Sequence, residues 1–167
     1  MVEVVAAPGN GAATIHASCL CVGGRGVLIR GASGAGKSHL AFALILAGRA
    51  GLVSSARLVA DDRVLLSPRD GRLFAAAPHC LAGLIEVRGA GLRRLPFLAE
   101  TGIDLVVDLG ATDAARLPEP ATRRVLVEGV EIERLPVFAG GDPVHQVLAA
   151  LLTTPALDED SGPGGTL

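Results

Sequence analysis

Residues 31–38 of this chain read GASGAGKS, which has the form G-x-x-x-x-G-K-[ST]. This pattern is typical of a loop that cradles nucleotide phosphates, because its glycines let backbone N–H groups turn inward. The strand-like segment GVLIR precedes the loop, and a helix-like segment over residues 37–47 follows it. An accidental match is the alternative in a chain with 22 glycines, but the strand–loop–helix order favours a phosphate site.

Two side chains of this loop carry the chemistry that a phosphate site needs. Lys37 is expected to reach the β- and γ-phosphate oxygens, and Ser38 is expected to ligate Mg²⁺. The helix after the loop would direct its positive dipole end at the phosphates. The residues predicted to bind the nucleotide are Gly31, Ala32, Ser33, Gly34, Ala35, Gly36, Lys37 and Ser38.

Length and composition indicate a single α/β domain. The 167 residues are enough for one domain with a substantial core and too few for two. Half of the residues are apolar but only 2% are aromatic, so valine, leucine, isoleucine and alanine must build the core. The formal charge of −2 argues against a nucleic-acid partner, which would require broad phosphate neutralisation.

Cysteine usage and hydropathy predict a cytoplasmic protein without a membrane partner. The N-terminus lacks the basic start and apolar run of a secretory signal. The longest apolar run, residues 40–47, is far shorter than the roughly 20 residues of a membrane-spanning helix. Reduced thiols are expected for the three cysteines. Cys19 and Cys21 alternate along a predicted strand, and core packing is favoured over a metal role for both.

Hydrophobic and turn patterns predict one domain over residues 14–157, with an N-terminal extension at 1–13. The acidic, glycine-rich segment 158–167 is predicted to be a disordered tail. Strands are expected in TIHASCLCV, GVLIR, ARLVADD, RVLLS, RLFAAA, GLIEVRGAG and GIDLVVDLG, and on both sides of Glu128 and Gly129.

Capping signals predict the ends of two helices. Gly48 is expected to cap the carboxyl end of the helix that follows the loop. The segment PVHQVLAALLTT is expected to form a last helix, opened by Pro143 with Asp142 as its N-cap.

A phosphate site also needs a carboxylate for the metal and a group that manages the nucleophile. The segment IDLVVDLG places Asp108 after an apolar run, as in a common Walker B strand. The segment RLVADD places Asp61 and Asp62 side by side at a strand end, where the two could divide these roles. Spacing favours the Asp61–Asp62 pair and leaves Asp108 as an alternative.

Three blocks in order, IHASCLCVGGRGVLIRGASGAGKS, RLVADD and LIEVRGAG, resemble the catalytic domain of the HPr kinase/phosphorylase family. The resemblance implies a P-loop-containing mixed sheet flanked by helices, similar to that of phosphoenolpyruvate carboxykinase. It implies transfer of a phosphoryl group from ATP, with Mg²⁺, to a serine of HPr, the phosphocarrier protein of the phosphotransferase system. It also implies a homo-oligomer, usually a hexamer, and the short form without an N-terminal domain that is typical of alphaproteobacteria.

The resemblance assigns site residues position by position. His39, His79 and His145 have no motif support and are expected to be structural or on the surface. The carried-over catalytic residues are His16, Lys37, Asp61, Asp62 and, by a looser match in ARLPEP, Arg116; the carried-over metal-associated residues are Ser38, Asp61 and Glu86.

One departure from the family bears on the direction of the reaction. The family usually carries PVRPGR near its end, a segment tied to removal of the phosphate by phosphorolysis. Here residues 136–142 read PVFAGGD, so Phe138 stands where a positive charge would hold phosphate. The sequence therefore predicts a kinase with weak or altered phosphorylase activity. Two alternatives remain: a nucleotide-binding regulator without phosphotransfer, and a generic P-loop ATPase that uses Asp108.

Overall fold

The computed structural model describes residues 14–156, which form a mixed α/β fold. The predicted N-terminal extension and acidic tail lie outside the described residues. Two short 3₁₀ turns occur at His79–Leu81 and Pro120–Arg123. The helices are α1 (Lys37–Arg49) and α2 (Pro143–Leu152). The strands are β1 (Thr14–Ile15), β2 (Ser18–Val22), β3 (Arg25–Arg30), β4 (Ala56–Ala60), β5 (Val64–Arg69), β6 (Arg72–Ala76), β7 (Leu84–Val87), β8 (Gly91–Arg94), β9 (Glu100–Leu109), β10 (Arg124–Val127) and β11 (Val130–Val137).

Strand β9 organises the main sheet because both of its edges are paired. One edge runs parallel to β3, and the sheet continues from β3 through β2 to β4. The other edge pairs antiparallel with β6 near its start and parallel with β11 further on. Since β3, β9 and β11 are parallel, their carboxyl ends lie at one edge of the sheet. The segments that follow Arg30, Leu109 and Val137 therefore start close together.

The central strands are apolar along their length because both faces of the sheet are buried. Alternate residues face two separate core clusters. One cluster packs on α1 and includes Leu20, Ile29 and Val107. The other lies on the opposite face and includes Cys19 and Leu28, with Cys21 packed against it, so the predicted shared face of the two cysteines is confirmed.

The helix ends differ in how well the sequence predicted them. Helix α1 continues to Arg49 and its C-cap is Ala50, so the prediction of Gly48 as the cap is wrong. A Cβ at Gly48 would lie 2.7 Å from the backbone nitrogen of Ala56, and the glycine thus lets α1 pack closely on β4. The predicted N-cap of α2 is confirmed, because the Asp142 side chain accepts a hydrogen bond from the His145 backbone N–H at 3.1 Å. Within residues 14–156, neither helix is long and apolar enough to cross a membrane.

Candidate active site

The loop over residues 31–36 lies between β3 and α1, in the strand–loop–helix order that the sequence predicts. Gly36 is the N-cap of α1 and has a φ of 96°, a left-handed conformation that favours glycine. Gly34 also has a positive φ, of 79°. Since the first N–H groups of a helix have no partner within the helix, the start of α1 offers donors to an anion at the loop.

Lys37 places its ammonium group across this loop. The side chain is buried, with 6% of the residue exposed. Its Nζ donates hydrogen bonds to the carbonyl oxygens of Gly31 and Ala32, both at 2.9 Å. The loop's own backbone thus holds the lysine side chain over the loop.

Asp61 is the buried carboxylate of the site, with 3% of the residue exposed. Ser38 Oγ lies 2.9 Å from both of its oxygens. Ser18 Oγ donates to Oδ1 at 2.6 Å, and the Glu86 backbone N–H donates to Oδ2 at 3.2 Å. These donors join the end of β4 to the start of α1, to β2 and to β7.

The side chain of the next residue, Asp62, points toward solvent and not into the protein interior. Its side chain is 63% exposed, and its Oδ1 lies 3.3 Å from Nε2 of His16. Its φ of 64° is in the left-handed region, which a non-glycine residue seldom adopts and which is enriched at functional sites. This turn separates the pair, so one carboxylate faces the protein interior and its neighbour faces solvent beside a histidine.

These residues line one cavity of about 530 Å³, a size within the usual range for small-molecule sites. Glu86 on β7 is exposed at its rim. His39 also lines the cavity, although the sequence suggested only a structural or surface role. The predicted site residues that the structure brings to this cavity are His16, Ser33, Gly34, Gly36, Lys37, Ser38, Asp61, Asp62 and Glu86.

Asp108 does not reach this cavity, because two arginines hold it. Arg30 donates to its oxygens at 2.7 and 2.8 Å, and Arg134 donates at 2.6 Å. Burial opposes ionisation, but the hydrogen bonds and charges of the two arginines outweigh it and lower the pKa of Asp108 below its ordinary value. Its carboxylate therefore ties β3, β9 and β11 together.

Arg116, which the resemblance loosely placed in the active site, lines a different cavity. The segment after β9 turns along β11, where Arg134 donates to Asp113 at 2.7 Å. This path carries Arg116 next to Pro136 and Gln146, on the side of α2. The structure thus does not bring Arg116 to the loop cavity.

Two polar residues of the site were missed by reasoning from the sequence. Ser18 is fully buried in β2 and bonded to Asp61, and Arg88 lines the cavity beyond β7. A hydroxyl in the otherwise apolar segment SCLCV was the available signal for Ser18. Its partner could not be identified because Asp61 follows a different strand, β4, in a distant part of the chain.

The fold and the site together combine a mixed sheet, a glycine-rich loop before a helix, and a lysine and a carboxylate beside that loop. The family model described as HPr Serine kinase C-terminal domain matches residues 10–140. The chain belongs to this family, which confirms the resemblance inferred from its three sequence blocks.

Curated relatives are similar over about half of the chain. The HPr kinase/phosphorylase of Clostridium tetani is 39% identical over 95 residues, 57% of this chain and 28% of that protein. The HPr kinase/phosphorylase of Levilactobacillus brevis is 38% identical over 104 residues, 58% of this chain and 31% of that protein. The chain therefore spans less than a third of the length of these relatives.

A solved structure confirms the fold. The Hpr(Ser) kinase/phosphatase from Coxiella burnetii superposes with a TM-score of 0.67 at 24% sequence identity, covering 84% of this chain and 95% of that one. The predicted mixed α/β architecture of the HPr kinase C-terminal domain is thus found in this protein.

Proposed function

We propose that this chain is an ATP-dependent protein-serine kinase that phosphorylates HPr, the phosphocarrier protein of the phosphotransferase system. The observation that carries the proposal is the division of the aspartate pair. Asp61 is buried, and its Oδ1 lies 2.9 Å from Ser38 Oγ. Asp62 is exposed, and its Oδ1 lies 3.3 Å from Nε2 of His16. A protein that only binds nucleotide has a use for the first carboxylate, whereas the second is placed as a base that could accept a proton from an attacking nucleophile.

The residues at the loop fit Mg²⁺ bound together with ATP. A hydroxyl and a carboxylate at 2.9 Å are hard oxygen groups that one cation can engage. Among the described residues no cluster of three or more His, Cys, Asp and Glu side chains forms a metal cage. Mg²⁺ usually keeps several waters and takes phosphate oxygens as ligands, so one or two protein groups are enough to hold it. When bound, the ion would neutralise charge on the phosphates, with Ser38, Asp61 and Glu86 as its protein partners.

The remaining residues then position ATP and move the proton. Lys37 and the N–H groups at the start of α1 hold the β- and γ-phosphates. A serine hydroxyl is a weak nucleophile, so Asp62 accepts its proton as the oxygen attacks the γ-phosphorus. The bond between the γ-phosphorus and the β,γ-bridging oxygen breaks, and ADP leaves. His16, in contact with Asp62, orients this carboxylate. In the reverse direction, inorganic phosphate attacks the seryl phosphorus and forms pyrophosphate, while the acid form of Asp62 returns the proton to the departing serine oxygen.

The proposal includes weak or altered phosphorylase activity. Phe138 is the first residue after β11, and the glycine-rich loop follows β3 at the same edge of the sheet. The Phe138 side chain is 54% exposed. Asp142 is engaged as the N-cap of α2. Neither residue supplies the positive charge that would hold inorganic phosphate.

We also propose that residues 14–157 are the catalytic domain and that copies of the chain form a homo-oligomer, a hexamer by resemblance. The mass in solution, measured by light scattering, tests this point.

The alternatives are less well supported by the geometry. An ATPase that relies on Asp108 would need that carboxylate at the phosphates, yet both of its oxygens accept bonds from Arg30 and Arg134. A regulator that binds nucleotide without transfer would not require Asp62 beside His16.

The test is to incubate the purified chain with Mg-ATP and the HPr of its own organism, followed by mass spectrometry of HPr. A serine-phosphorylated HPr is expected with the unchanged chain. Asp62→Asn should abolish it while nucleotide binding persists. The matched control is Asp70→Asn, since Asp70 is also an exposed aspartate with a positive φ, of 49°. ATP consumption without HPr modification, unaffected by Asp62→Asn, would contradict the proposal.

A further inference from the structure

Ser18 is a fully buried polar residue that the proposed chemistry has not used. It begins β2, and its exposed fraction is 0%. Its Oγ lies 2.6 Å from Oδ1 of Asp61, the residue that follows β4. The register between β2 and β4 shifts at Cys19 and Leu20, where Cys19 pairs with Ala60 and Leu20 with Leu58. This shift places Asp61, the residue after Ala60, opposite Ser18.

The donors around Asp61 are distributed over its two oxygens. Ser18 donates to Oδ1 at 2.6 Å, and the Glu86 backbone N–H donates to Oδ2 at 3.2 Å. Ser38 Oγ lies between the oxygens, 2.9 Å from each. Because Ser18 donates to one oxygen and the Glu86 N–H donates to the other, the carboxylate group of Asp61 is held in one rotational orientation. The remaining lone pairs then face Ser38 and the cavity.

Ser18 is not the sole donor to the Asp61 carboxylate. Ser38 and the Glu86 N–H already provide donors to both oxygens of Asp61. The Ser18 hydroxyl is an additional donor on a strand whose neighbouring positions are apolar, and its bond to the carboxylate offsets the cost of its burial. Because a hydrogen bond to a charged acceptor is short and directional, Ser18 supplies geometric control of the carboxylate.

We infer that Ser18 is a positioning residue that sets the orientation in which Asp61 serves Ser38 and a nucleotide-bound divalent cation. The inference rests on the proposed function, since it assigns Asp61 to the metal side of the aspartate pair. Ser18 acts through Asp61 and touches neither ATP nor the acceptor serine.

The inference predicts a specific pattern of losses for Ser18→Ala. The turnover number for HPr phosphorylation falls about tenfold or more, as expected when a hydrogen bond to a charged group is lost. The KM for HPr stays unchanged, because Asp62 and the acceptor side of the cavity are untouched. The Mg²⁺ concentration for half-maximal rate rises several-fold. Ser18→Thr, which keeps the hydroxyl, restores both quantities toward those of the unchanged chain.

A binding measurement decides the point without turnover. Mn²⁺ is titrated into the full chain with ADP, and bound Mn²⁺ is followed by electron paramagnetic resonance and by the rise in melting temperature. The matched control is Cys19→Ala, which removes one buried atom from the adjacent residue, on the opposite face of the sheet. We expect Ser18→Ala to weaken Mn²⁺ binding several-fold and Cys19→Ala to leave it unchanged.

Each other outcome has a defined meaning. If Ser18→Ala lowers only the melting temperature without ligands, as Cys19→Ala does, the positioning role is wrong. The same holds if both variants weaken Mn²⁺ binding equally, since that indicates general loosening. If the unchanged chain binds Mn²⁺ with ADP but never phosphorylates HPr, the proposed function fails while the titration still decides on Ser18. A chain that does not bind Mn²⁺ with ADP overturns both.

Discussion

Asp61 and Asp62 are adjacent in the chain but have opposite surroundings, and this contrast predicts different effects on stability. Asp61 is buried and accepts bonds from Ser18, Ser38 and the Glu86 N–H. Asn at position 61 would turn an amide donor toward these donors, so Asp61→Asn should lower the free energy of unfolding by about 1–3 kcal/mol. Asp62→Asn should change it by less than about 0.5 kcal/mol, because the side chain is exposed and asparagine tolerates a positive φ.

Urea unfolding of the two variants without nucleotide provides the measurement. The Asp70→Asn control, at another exposed aspartate with a positive φ, should resemble Asp62→Asn. Equal destabilisation by Asp61→Asn and Asp62→Asn would mean that the contrast in burial does not govern the pair.

The sequence predicted the residue types of the site better than it predicted their roles. The adjacent acids and the G-x-x-x-x-G-K-[ST] pattern of the loop are evident in the sequence itself. Which acid is buried depends on the left-handed turn at Asp62 and on the position of Ser18 in another strand. Neither follows from spacing, because both result from how β2 and β4 are aligned.

At the scale of the elements, Asp108 links three neighbouring strands. Arg30 on β3 and Arg134 on β11 both donate to this aspartate on β9. The two arginines lower the pKa of Asp108 in the folded protein despite its burial. In the unfolded chain the pKa returns to the ordinary value of about 4.

This difference predicts a loss of stability in acid. Between the folded and unfolded pKa values, the unfolded chain binds the proton and the folded protein does not, so stability rises with pH there. The contribution of Asp108 is complete above the ordinary aspartate pKa and is lost as pH falls through the lowered one. Urea unfolding between about pH 6 and about pH 3 should show a shallower acid slope for Asp108→Asn than for the unchanged chain. An unchanged slope in Asp108→Asn would contradict the prediction.

Elements with a strong local pattern were predicted, and those whose form depends on tertiary contacts were not. The strand GIDLVVDLG and the capped helix α2 are both present, because apolar alternation and an N-cap are local signals. The end of α1 was predicted wrongly at Gly48. Glycine serves there for close packing against β4, and a single sequence does not distinguish that use from a cap.

At the scale of the whole molecule, the site is assembled from segments that are far apart in the chain. His16 precedes β2, Ser38 opens α1, Asp61 follows β4 and Glu86 lies on β7. Matched blocks in the sequence could predict that these residues meet, since the blocks belong to one family. Arg116 shows the limit of this reasoning: its match was loose, and the path of the chain along β11 takes it to another cavity.

The common end of the parallel strands predicts a substitution that should favour the proposed reverse reaction, the dephosphorylation of HPr. The parallel strands β3, β9 and β11 end at one edge, so residue 138 and the loop over residues 31–36 follow strand ends that lie about 10 Å apart at the usual strand spacing. Phe138 is 54% exposed and could be replaced without disturbing the core. An arginine there would offer a charge-assisted partner to inorganic phosphate or to the phosphoserine.

Phe138→Arg is therefore expected to raise the rate of phosphate-driven dephosphorylation of seryl-phosphorylated HPr about tenfold relative to the forward rate. The measurement is release of pyrophosphate and of unmodified HPr at several phosphate concentrations, with the forward reaction assayed in parallel. Phe138→Ala is the matched control, since it removes the ring without adding charge, and it should leave the ratio of the two rates unchanged. If the alanine variant gains as much as the arginine variant, the ring rather than the missing charge limits the reverse reaction. A strong reverse reaction in the unchanged chain, comparable to the forward one, would show that a positive charge at residue 138 is not required.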